Sequence, residues 1–345
     1  MAKMKSVVLY ELNKPLKVEE LSISDLKEGQ VLVKIAASGV CHSQLNEIKG
    51  KKGPDKYLPH TLGHEGAGIV EDIGPKVKKV KKGDHVVLSW IKGKGINAEP
   101  PVYFSGSNRI NSGQLCTFNE YTVTAENRVT PISKEIPLDL AALLGCAVPT
   151  GMGVIINNAK VKEEDTVAVF GVGGIGLSVV HGAAIMKASK IIAVDIQEAK
   201  LKMAKELGAT HVVNAKNEDA VKVIKDLTEG KGVDCAIESA GLRKTMEQAF
   251  ESVRKDGGKA IIIGNIPPHE RISIDPFALI CGRQIVGSWG GETDPDRDIP
   301  MYVDLYLSGK LKLEKMLTHR FKLEEINDAF DILEKGEAGR IIIEF

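Results

Sequence analysis

The residues best suited to metal chemistry are two cysteines and a histidine in the first part of the chain. They lie in three short segments, Gly39–Ser43 (GVCHS), Gly63–Glu65 (GHE) and Gly145–Cys146. Thiolates and imidazole nitrogens are the ligands that zinc prefers, but these donors are too far apart for a local motif such as C-x₂-C. Each one alone has an ordinary structural explanation, as a small buried thiol or a core histidine. The set becomes informative only together with the rest of the chain.

The second candidate for chemistry is a glycine-rich turn that follows the strand-like run Thr166–Phe170 and precedes a helical pattern. Its residues are Gly171, Val172, Gly173, Gly174, Ile175 and Gly176. The first glycine permits the tight turn, the second lets a pyrophosphate approach the backbone, and the third allows close helix packing. The N–H groups that begin the helix would face the phosphates. This context predicts a dinucleotide site, with a strand-to-helix turn without a ligand as the alternative.

An acidic residue, Asp195, follows the next strand at the distance typical of a residue that binds the ribose hydroxyls of a dinucleotide. A carboxylate there would repel the additional phosphate of NADP. The sequence therefore predicts NAD as the coenzyme, and an ordinary N-cap aspartate is the alternative.

Two different patterns along the chain must position these residues. The first ~147 residues contain short strand-like segments separated by turn residues, which favour a β-rich, barrel-like domain. From about Pro149, apolar strands alternate with amphipathic helices, which predicts a parallel sheet in an α/β fold. We expect six strands, enough for a doubly wound Rossmann sheet: Thr166–Phe170, Ile191–Val194, His211–Val213, Val233–Ile237, Ala260–Ile263 and Gln284–Val286. Helical patterns near Ile299–Leu307 and Leu323–Lys335 and a strand at Arg340–Phe345 form a tail that the pattern alone assigns to neither domain.

Composition excludes several classes of function. Lys plus Arg equal Asp plus Glu at 46 each, so there is no basic field for nucleic acid, and the lysines of residues 76–82 are expected to form a solvated face. No apolar run is long enough to span a bilayer, and the beginning of the chain lacks the features of a signal peptide. We therefore expect a cytoplasmic protein that does not bind membranes, whose five cysteines are core thiols, ligands or nucleophiles.

Motifs along essentially the whole chain resemble the zinc-dependent medium-chain dehydrogenase/reductase family, especially the liver-type alcohol dehydrogenases. They are, in order, GVCHS, LGHEGAGIVEDIG, LLGCAVPTG, VAVFGVGGIGLSVV, AKELGAT and FDILEKGEAGR. The resemblance implies a GroES-like catalytic domain formed by residues 1–147 and 289–345, and an NAD-binding Rossmann domain formed by residues 148–288. It also implies a homodimer or homotetramer, in which the strand near Gln284–Val286 often pairs across the dimer.

The resemblance further implies one catalytic zinc bound by Cys41, His64 and Cys146, the ligand set for which alcohol dehydrogenase is the standard example. The zinc would act as a Lewis acid, while a hydride passes between the alcohol and NAD. Ser43 would take the alcohol proton, and Glu65 would lie near the metal. Residues matched to the coenzyme are His42 and Arg340 at the pyrophosphate, Lys200 at the adenosine ribose and Thr150 under the nicotinamide. Trp90 and Trp289 would line the substrate cleft, with core packing as an equal alternative for each.

The chain departs from this family at three places. Residues 91–114 contain no cysteine, so we expect no structural zinc in that lobe, which must be held by other contacts or be mobile. Gln44 stands where the family commonly has an aspartate that orients the zinc-bound histidine; it can accept a hydrogen bond from His64, but as a neutral group. Asn46 stands where the proton relay ends on a histidine, and an amide takes no proton near pH 7. The proton would then leave by water or another group, such as His60.

The predicted activity is reversible oxidation of an alcohol to an aldehyde or ketone with NAD. A polyol or sugar dehydrogenase is an alternative, for which Asn265 would suit a hydroxylated substrate. A glutathione-dependent formaldehyde dehydrogenase is another. A nicotinamide-binding protein without turnover is a fourth hypothesis, and the intact set of zinc ligands argues against it.

Overall fold

The computed structural model describes residues 3–267 and 269–345. In chain order, its strands are β1 (Lys3–Leu9), β2 (Lys17–Ser22), β3 (Gln30–Val40), β4 (His60–Thr61), β5 (Glu65–Ile73), β6 (His85–Ser89), β7 (Tyr103–Ser105), β8 (Asn108–Ile110), β9 (Tyr121–Ala125), β10 (Val129–Pro131), β11 (Thr166–Phe170), β12 (Lys190–Asp195), β13 (His211–Asn214), β14 (Cys235–Glu238), β15 (Lys259–Ile262), β16 (Gln284–Gly287), β17 (Leu317–Lys322) and β18 (Arg340–Glu344).

The α-helices are α1 (His42–Ile48), α2 (Leu138–Ala141), α3 (Ala147–Gly153), α4 (Gly174–Ile185), α5 (Glu198–Glu206), α6 (Ala220–Leu227), α7 (Arg243–Ser252), α8 (Pro276–Ile280), α9 (Pro295–Leu307) and α10 (Ile326–Lys335). Short 3₁₀ turns lie at Glu126–Arg128, Ala142–Gly145, Gly290–Glu292, Leu313–Lys315 and Leu323–Glu325, and a π-helical segment lies at Val154–Ala159.

The chain forms two units, Met1–Cys146 with Asp294–Phe345, and Ala147–Thr293. The carboxy-terminal tail that the sequence pattern left unassigned belongs to the first unit from Asp294 onward. The segment 289–293 belongs to the second unit, because Thr293 Oγ1 donates to the Pro149 carbonyl at 3.0 Å and Asn157 Nδ2 donates to the Gly291 carbonyl at 3.0 Å.

The second unit contains a six-stranded sheet in the order β13-β12-β11-β14-β15-β16, with every neighbouring pair parallel. This is the strand order of a doubly wound dinucleotide-binding fold, so the predicted fold is confirmed. The central residues of β11, β12, β14 and β15 are apolar and mostly buried, a pattern typical of parallel sheets. The strand order reverses between β11 and β14, and the glycine-rich turn lies at the carboxyl end of β11.

The first unit is β-rich, as predicted, and contains two sheets. One has the order β4-β1-β2-β7-β8, and the other β10-β6-β5-β3-β18-β17 with β9 also paired to β3. The long strand β3 pairs with β5 along one edge, where the register shifts at two irregularities, and with β9 and then β18 along its other edge. Such bulges bend a strand and increase its twist. β18, near the carboxy terminus, lies beside the carboxyl end of β3, and this pairing brings Arg340 to the candidate site.

The lobe without cysteines is held by carboxylates rather than by thiolates. Glu126 accepts backbone hydrogen bonds from Lys78 at 2.6 Å, Lys79 at 2.7 Å and Ile96 at 2.8 Å. Burial raises the pKa of Glu126, but these backbone donors outweigh it and hold that pKa below its ordinary value. The backbone N–H of Lys94 donates to Asp296. Of the two possibilities that the sequence left open, the structure therefore shows contacts that hold the lobe.

Among the residues that the structure describes, no single helix is long and apolar enough to cross a membrane. The helical segments Leu138–Gly145 and Ala147–Ala159 would reach that length only together, and a bend of 56° separates them.

Candidate active site

Four potential metal ligands converge in the first unit. The ligand atoms of Cys41, His64, Glu65 and Cys146 all lie within 4.8 Å of one another. Cys41 directly follows β3, Glu65 begins the neighbouring strand β5, and Cys146 follows the 3₁₀ turn Ala142–Gly145. That turn lies close against the sheet, since a Cβ on Gly145 would be 2.4 Å from the Leu88 carbonyl oxygen. Only glycine fits there, and this approach brings Cys146 to the ends of β3 and β5.

The imidazole of His64 is oriented by Gln44. The hydrogen-bond pattern assigns the Gln44 amide oxygen toward His64, where it accepts from Gly63 N at 2.7 Å, His64 N at 3.2 Å and His64 Nδ1 at 3.3 Å. Gln44 is buried in α1. The contact to Nδ1 leaves Nε2 as the nitrogen available to a metal, which is the usual arrangement of a zinc-bound histidine and its supporting partner.

Cys41 and Cys146 form a hydrogen-bonded pair. The hydrogen bond from Cys146, together with one from His64, holds the pKa of the Cys41 thiol well below its ordinary value. The same contact and burial raise the pKa of Cys146 well above its ordinary value. Cysteine binds metal as the thiolate, so binding of a divalent cation by this pair would release thiol protons.

Glu65 pairs with Arg340 beneath the cluster. Both side chains are buried, and Arg340 Nη2 donates to Glu65 Oε1 while Nη1 donates to the Val40 carbonyl at 3.4 Å. Burial raises the pKa of Glu65, although Arg340 opposes that shift. Glu65 Oε2 and Arg340 Nε have no hydrogen-bond partner among the described residues. Sequence reasoning placed Glu65 near the metal but missed this pair, because its members are far apart in the chain.

These residues fit a zinc ion. Two sulfurs and an imidazole nitrogen are soft to borderline ligands that zinc binds in tetrahedral sites. The buried Glu65 oxygen without a partner lies beside them. Two thiolates would also balance the charge of the ion in a buried position where an unpaired charge is costly.

A second polar cluster surrounds Ser43. Lys52 Nζ donates to Ser43 Oγ at 3.2 Å and to Glu47 Oε2 at 2.8 Å. His60 Nε2 lies 3.7 Å from Glu47 Oε1 and 2.9 Å from Asp55 Oδ2, while Nδ1 contacts the Thr61 carbonyl at 2.9 Å. His60 is thus a buried member of a polar network that contains two carboxylates. Sequence reasoning singled out His60 but missed Lys52, which is one of several lysines in an ordinary surface loop.

The glycine-rich turn in the second unit has the predicted geometry. Gly171 has a φ of +83°, and a Cβ on Gly176 would lie 1.9 Å from the Gly171 carbonyl oxygen. Nothing lies within 4 Å of a Cβ built on Gly173, the N-cap of α4. The turn therefore leaves room at the amino end of the helix, where Gly174 and Ile175 begin the first turn and N–H groups bind anions.

Asp195 ends β12 next to this turn. Its carboxylate accepts backbone hydrogen bonds from Val172 at 2.8 Å, Ile196 at 2.7 Å and Gln197 at 3.0 Å. A carboxylate offers about four lone-pair sites, so capacity remains for a ribose hydroxyl. Asp195 also fixes the glycine-rich turn, a role that sequence reasoning did not include.

The remaining sequence-predicted residues are distributed over both units. In the second unit, Thr150 is buried in α3, and its Oγ1 has no hydrogen-bond partner among the described residues. Lys200 is half-buried in α5, and Asn265 is exposed after β15. Trp289 is 78% exposed, so core packing is excluded for it. In the first unit, His42 is exposed at the start of α1, and Trp90 is half-buried after β6.

Comparisons with known proteins agree with this architecture. Residues 27–134 match the model of the alcohol dehydrogenase GroES-like domain, and residues 174–308 match that of the zinc-binding dehydrogenase family. The chain belongs to the zinc-binding dehydrogenase family. The enzymes of this family are oxidoreductases that act on CH–OH groups, and NAD is their typical coenzyme. The predicted family, fold class and reaction class are confirmed.

Individual relatives cover the whole chain. The S-(hydroxymethyl)glutathione dehydrogenase of Synechocystis sp. is 36% identical over 99% of this chain and 100% of its own length. The structure is similar to that of an alcohol dehydrogenase zinc-binding domain protein from Burkholderia ambifaria, with a TM-score of 0.94, 31% identity and coverage of 100% and 99% of the two chains. It is also similar to benzyl alcohol dehydrogenase from Acinetobacter calcoaceticus, with a TM-score of 0.91, 32% identity and full coverage of both chains.

Proposed function

We propose that this chain is a cytoplasmic alcohol dehydrogenase that interconverts an alcohol with its aldehyde or ketone, with NAD and one zinc ion per chain. The observation that carries the proposal is the buried cluster of Cys41, His64 and Cys146, in which His64 Nδ1 is already bonded to Gln44. The cytoplasmic location is supported by the cysteines, all five of which are free, since thiolate ligands persist in a reducing compartment.

The candidate-site residues of the first unit each have a role in this proposal. Zinc, when bound, polarises the substrate oxygen as a Lewis acid. Cys41, His64 and Cys146 hold it, and Gln44 fixes the imidazole. Ser43 gives a proton to the substrate oxygen during reduction and takes it back during oxidation. Glu65 sets the charge beside the ligands, balanced by Arg340.

Other residues are assigned to the coenzyme and the substrate. The glycine-rich turn Gly171–Gly176 would bind the pyrophosphate, and Asp195 with Lys200 would bind the adenosine ribose. NAD, when bound, accepts or supplies the hydride. The resemblance also assigns His42 and Arg340 to the pyrophosphate, Thr150 to the nicotinamide, and Trp90, Trp289 and Asn265 to the substrate.

The relatives suggest two candidate substrates. Relatives at 35–37% identity are named S-(hydroxymethyl)glutathione dehydrogenase, which favours testing the glutathione adduct of formaldehyde. Similarity to benzyl alcohol dehydrogenase favours an aromatic primary alcohol. A screen should compare ethanol, benzyl alcohol, 2,3-butanediol, a sugar alcohol and S-(hydroxymethyl)glutathione, each with NAD. Formation of NADH would be followed by its near-ultraviolet absorbance.

Metal analysis tests the proposal directly. We expect one zinc per chain in the purified protein, because the lobe of residues 91–114 offers no cysteines for a second ion. Removal of zinc with a chelator should abolish NADH formation, and added zinc should restore it. Two zinc ions per chain would contradict the single-site prediction, and no zinc with no NADH from any substrate would contradict the enzyme.

The coenzyme preference is tested at Asp195. In Asp195→Gly, we expect the NAD-to-NADP ratio of kcat/KM to fall by roughly 10- to 100-fold, since a charged hydrogen bond contributes about 1.5–3 kcal/mol. Asp195→Asn is the informative control, because its amide oxygen can still accept from Val172 N while the charge is removed. If charge repulsion sets the preference, both variants lose it. If only Asp195→Gly changes, the residue acts through the glycine-rich turn instead.

The oligomer is proposed to be a homodimer that joins through β16, with a homotetramer as the alternative. β16 is an edge strand, and exposed apolar side chains lie on it and on α8, among them Val286, Phe277, Leu279 and Ile280. Unpaired edges and apolar patches favour association. Ile280→Glu should convert the assembly to monomers in sedimentation velocity, whereas Leu307→Glu, at an exposed position on α9, should not. An unchanged assembly in Ile280→Glu would exclude this interface.

A further inference from the structure

Lys52 connects the proposed proton-transfer residue to solvent. Its ammonium bridges Ser43 Oγ at 3.2 Å and Glu47 Oε2 at 2.8 Å. The Lys52 side chain is 49% exposed, whereas that of Glu47 is 26% exposed. The Lys52 side chain therefore contacts Ser43 and is also accessible to water.

A hydroxyl that gives its proton to a substrate needs another donor to restore it. Ser43 can accept a hydrogen bond and donate its own proton at the same time. Asn46, on the same helix, cannot supply a proton near pH 7. Lys52 Nζ is the ionisable group within hydrogen-bond distance of Ser43 Oγ in the described part of the chain.

We propose that Lys52 is a positioning residue that passes the proton between solvent and Ser43, so that the proton path runs through residues 43 and 52 of this chain. This inference rests on the proposed function, specifically on proton transfer by Ser43. Because Lys52 acts through Ser43, it does not itself contact the substrate.

The step balances in the direction of reduction. When bound, NADH would supply the hydride that reduces the carbonyl carbon, so the substrate oxygen needs a proton. The oxygen takes the Ser43 Oγ proton as Ser43 takes a proton from Lys52 Nζ, which leaves a neutral amine. That amine recovers a proton from solvent, so one solvent proton is consumed for each carbonyl reduced. During oxidation each transfer reverses, so Lys52 must begin as the neutral amine.

Several charged groups face Lys52. Glu47 lies on α1, Asp55 lies on the loop before β4 and interacts electrostatically with Lys52, and His60 contacts both carboxylates. Oxidation through the proposed path requires the amine form of Lys52, so the path predicts that alcohol oxidation accelerates as the pH rises.

The kinetic test uses the zinc- and NADH-loaded enzyme in single turnover, which removes product release from the measurement. Lys52→Met should slow reduction about 10²-fold, a typical contribution of positioned proton transfer, with unchanged zinc content and NADH affinity. Lys52→Arg keeps a cation but not a group that releases protons, so it should remain slow and lose the alkaline rise in oxidation. Ethylamine should restore Lys52→Ala in proportion to its concentration. Lys51→Met, at the exposed neighbouring position, is the matched control and should equal the wild type.

A readout without turnover tests the contact itself. With ¹⁵N-labelled lysine, the Nζ resonance of Lys52, assigned by its absence in Lys52→Arg, should shift in Ser43→Ala.

If Ser43→Ala is slow while Lys52→Met and Lys52→Arg keep the wild-type rate and pH profile, the Lys52 path is overturned and the proposed function stands. If Ser43→Ala keeps the wild-type rate, proton transfer by Ser43 is overturned. A slow Lys52→Met that ethylamine does not restore in Lys52→Ala would reduce Lys52 to a structural role and also overturn the inference.

Discussion

Cys146→Ser is expected to lose zinc and to lower turnover by roughly 10³-fold or more while NAD still binds. The sulfur of Cys146 is buried against Cys41, and a serine hydroxyl is a poor ligand that does not ionise near neutral pH. A metal that polarises a carbonyl contributes several kcal/mol to transition-state stabilisation, and each 1.36 kcal/mol corresponds to tenfold in rate. The glycine-rich turn and Asp195 belong to the other unit, so NADH fluorescence should still report binding.

The matched control for this substitution is Cys116→Ser. Cys116 is buried in the same unit, outside the ligand cluster, and its sulfur already contacts Gly113 N, Ser112 and the Thr61 carbonyl. A hydroxyl can make the same contacts, so zinc content and turnover should stay near wild type. A Cys146→Ser protein that retains one zinc and full activity would remove Cys146 from the ligand set. Equal losses in both variants would indicate unfolding rather than loss of a ligand.

The sequence predicts local features of this protein well. The glycine-rich turn between β11 and α4 depends on neighbouring residues, so its pattern identified a fold whose strand order the structure confirms. The hydrogen bond from His64 to Gln44 also follows from the position of Gln44 in the motif. Cys41, His64 and Cys146 were matched through the family resemblance, because their spacing carries no local signal.

Tertiary pairing is what the sequence leaves open. β18 joins β3 from the opposite end of the chain, and this antiparallel pairing, together with that of β3 and β5, brings Arg340 to Glu65. Likewise, Glu126 collects N–H groups from separate loops because those loops pack together. Lys52 reaches Ser43 through the loop after α1, and nothing in the lysine-rich segment distinguishes it from its neighbours. In each case the determining contact joins residues that are far apart in the sequence, or it depends on a side-chain direction that periodicity does not specify.

Arg340→Met is expected to destabilise the first unit by about 3–5 kcal/mol, the usual cost of removing one partner from a buried ion pair. The Arg340 side chain is 5% exposed and that of Glu65 is fully buried, so the remaining carboxylate would lose the guanidinium without gaining contact with water. Arg320→Met is the control for a lost cation on the neighbouring strand. Arg320 pairs with Asp139 and Glu344 at the surface, where such pairs contribute about 0–1 kcal/mol.

The measurement can be confined to the relevant unit because the chain has two tryptophans. In a Trp289→Phe background, the fluorescence of Trp90 reports unfolding of the first unit alone, and urea midpoints should be compared at equal saturating zinc, since bound metal adds to stability. Combining Arg340→Met with Glu65→Gln removes both charges, so stability should recover most of the loss, and the coupling energy of the cycle isolates the pair. If the double variant is no more stable than Arg340→Met, Arg340 stabilises the fold through packing rather than through Glu65.

The affinity of the double variant for NADH separates the two roles of Arg340. A higher Kd despite restored stability would support the predicted contact with the pyrophosphate, and an unchanged Kd would assign Arg340 to Glu65 alone.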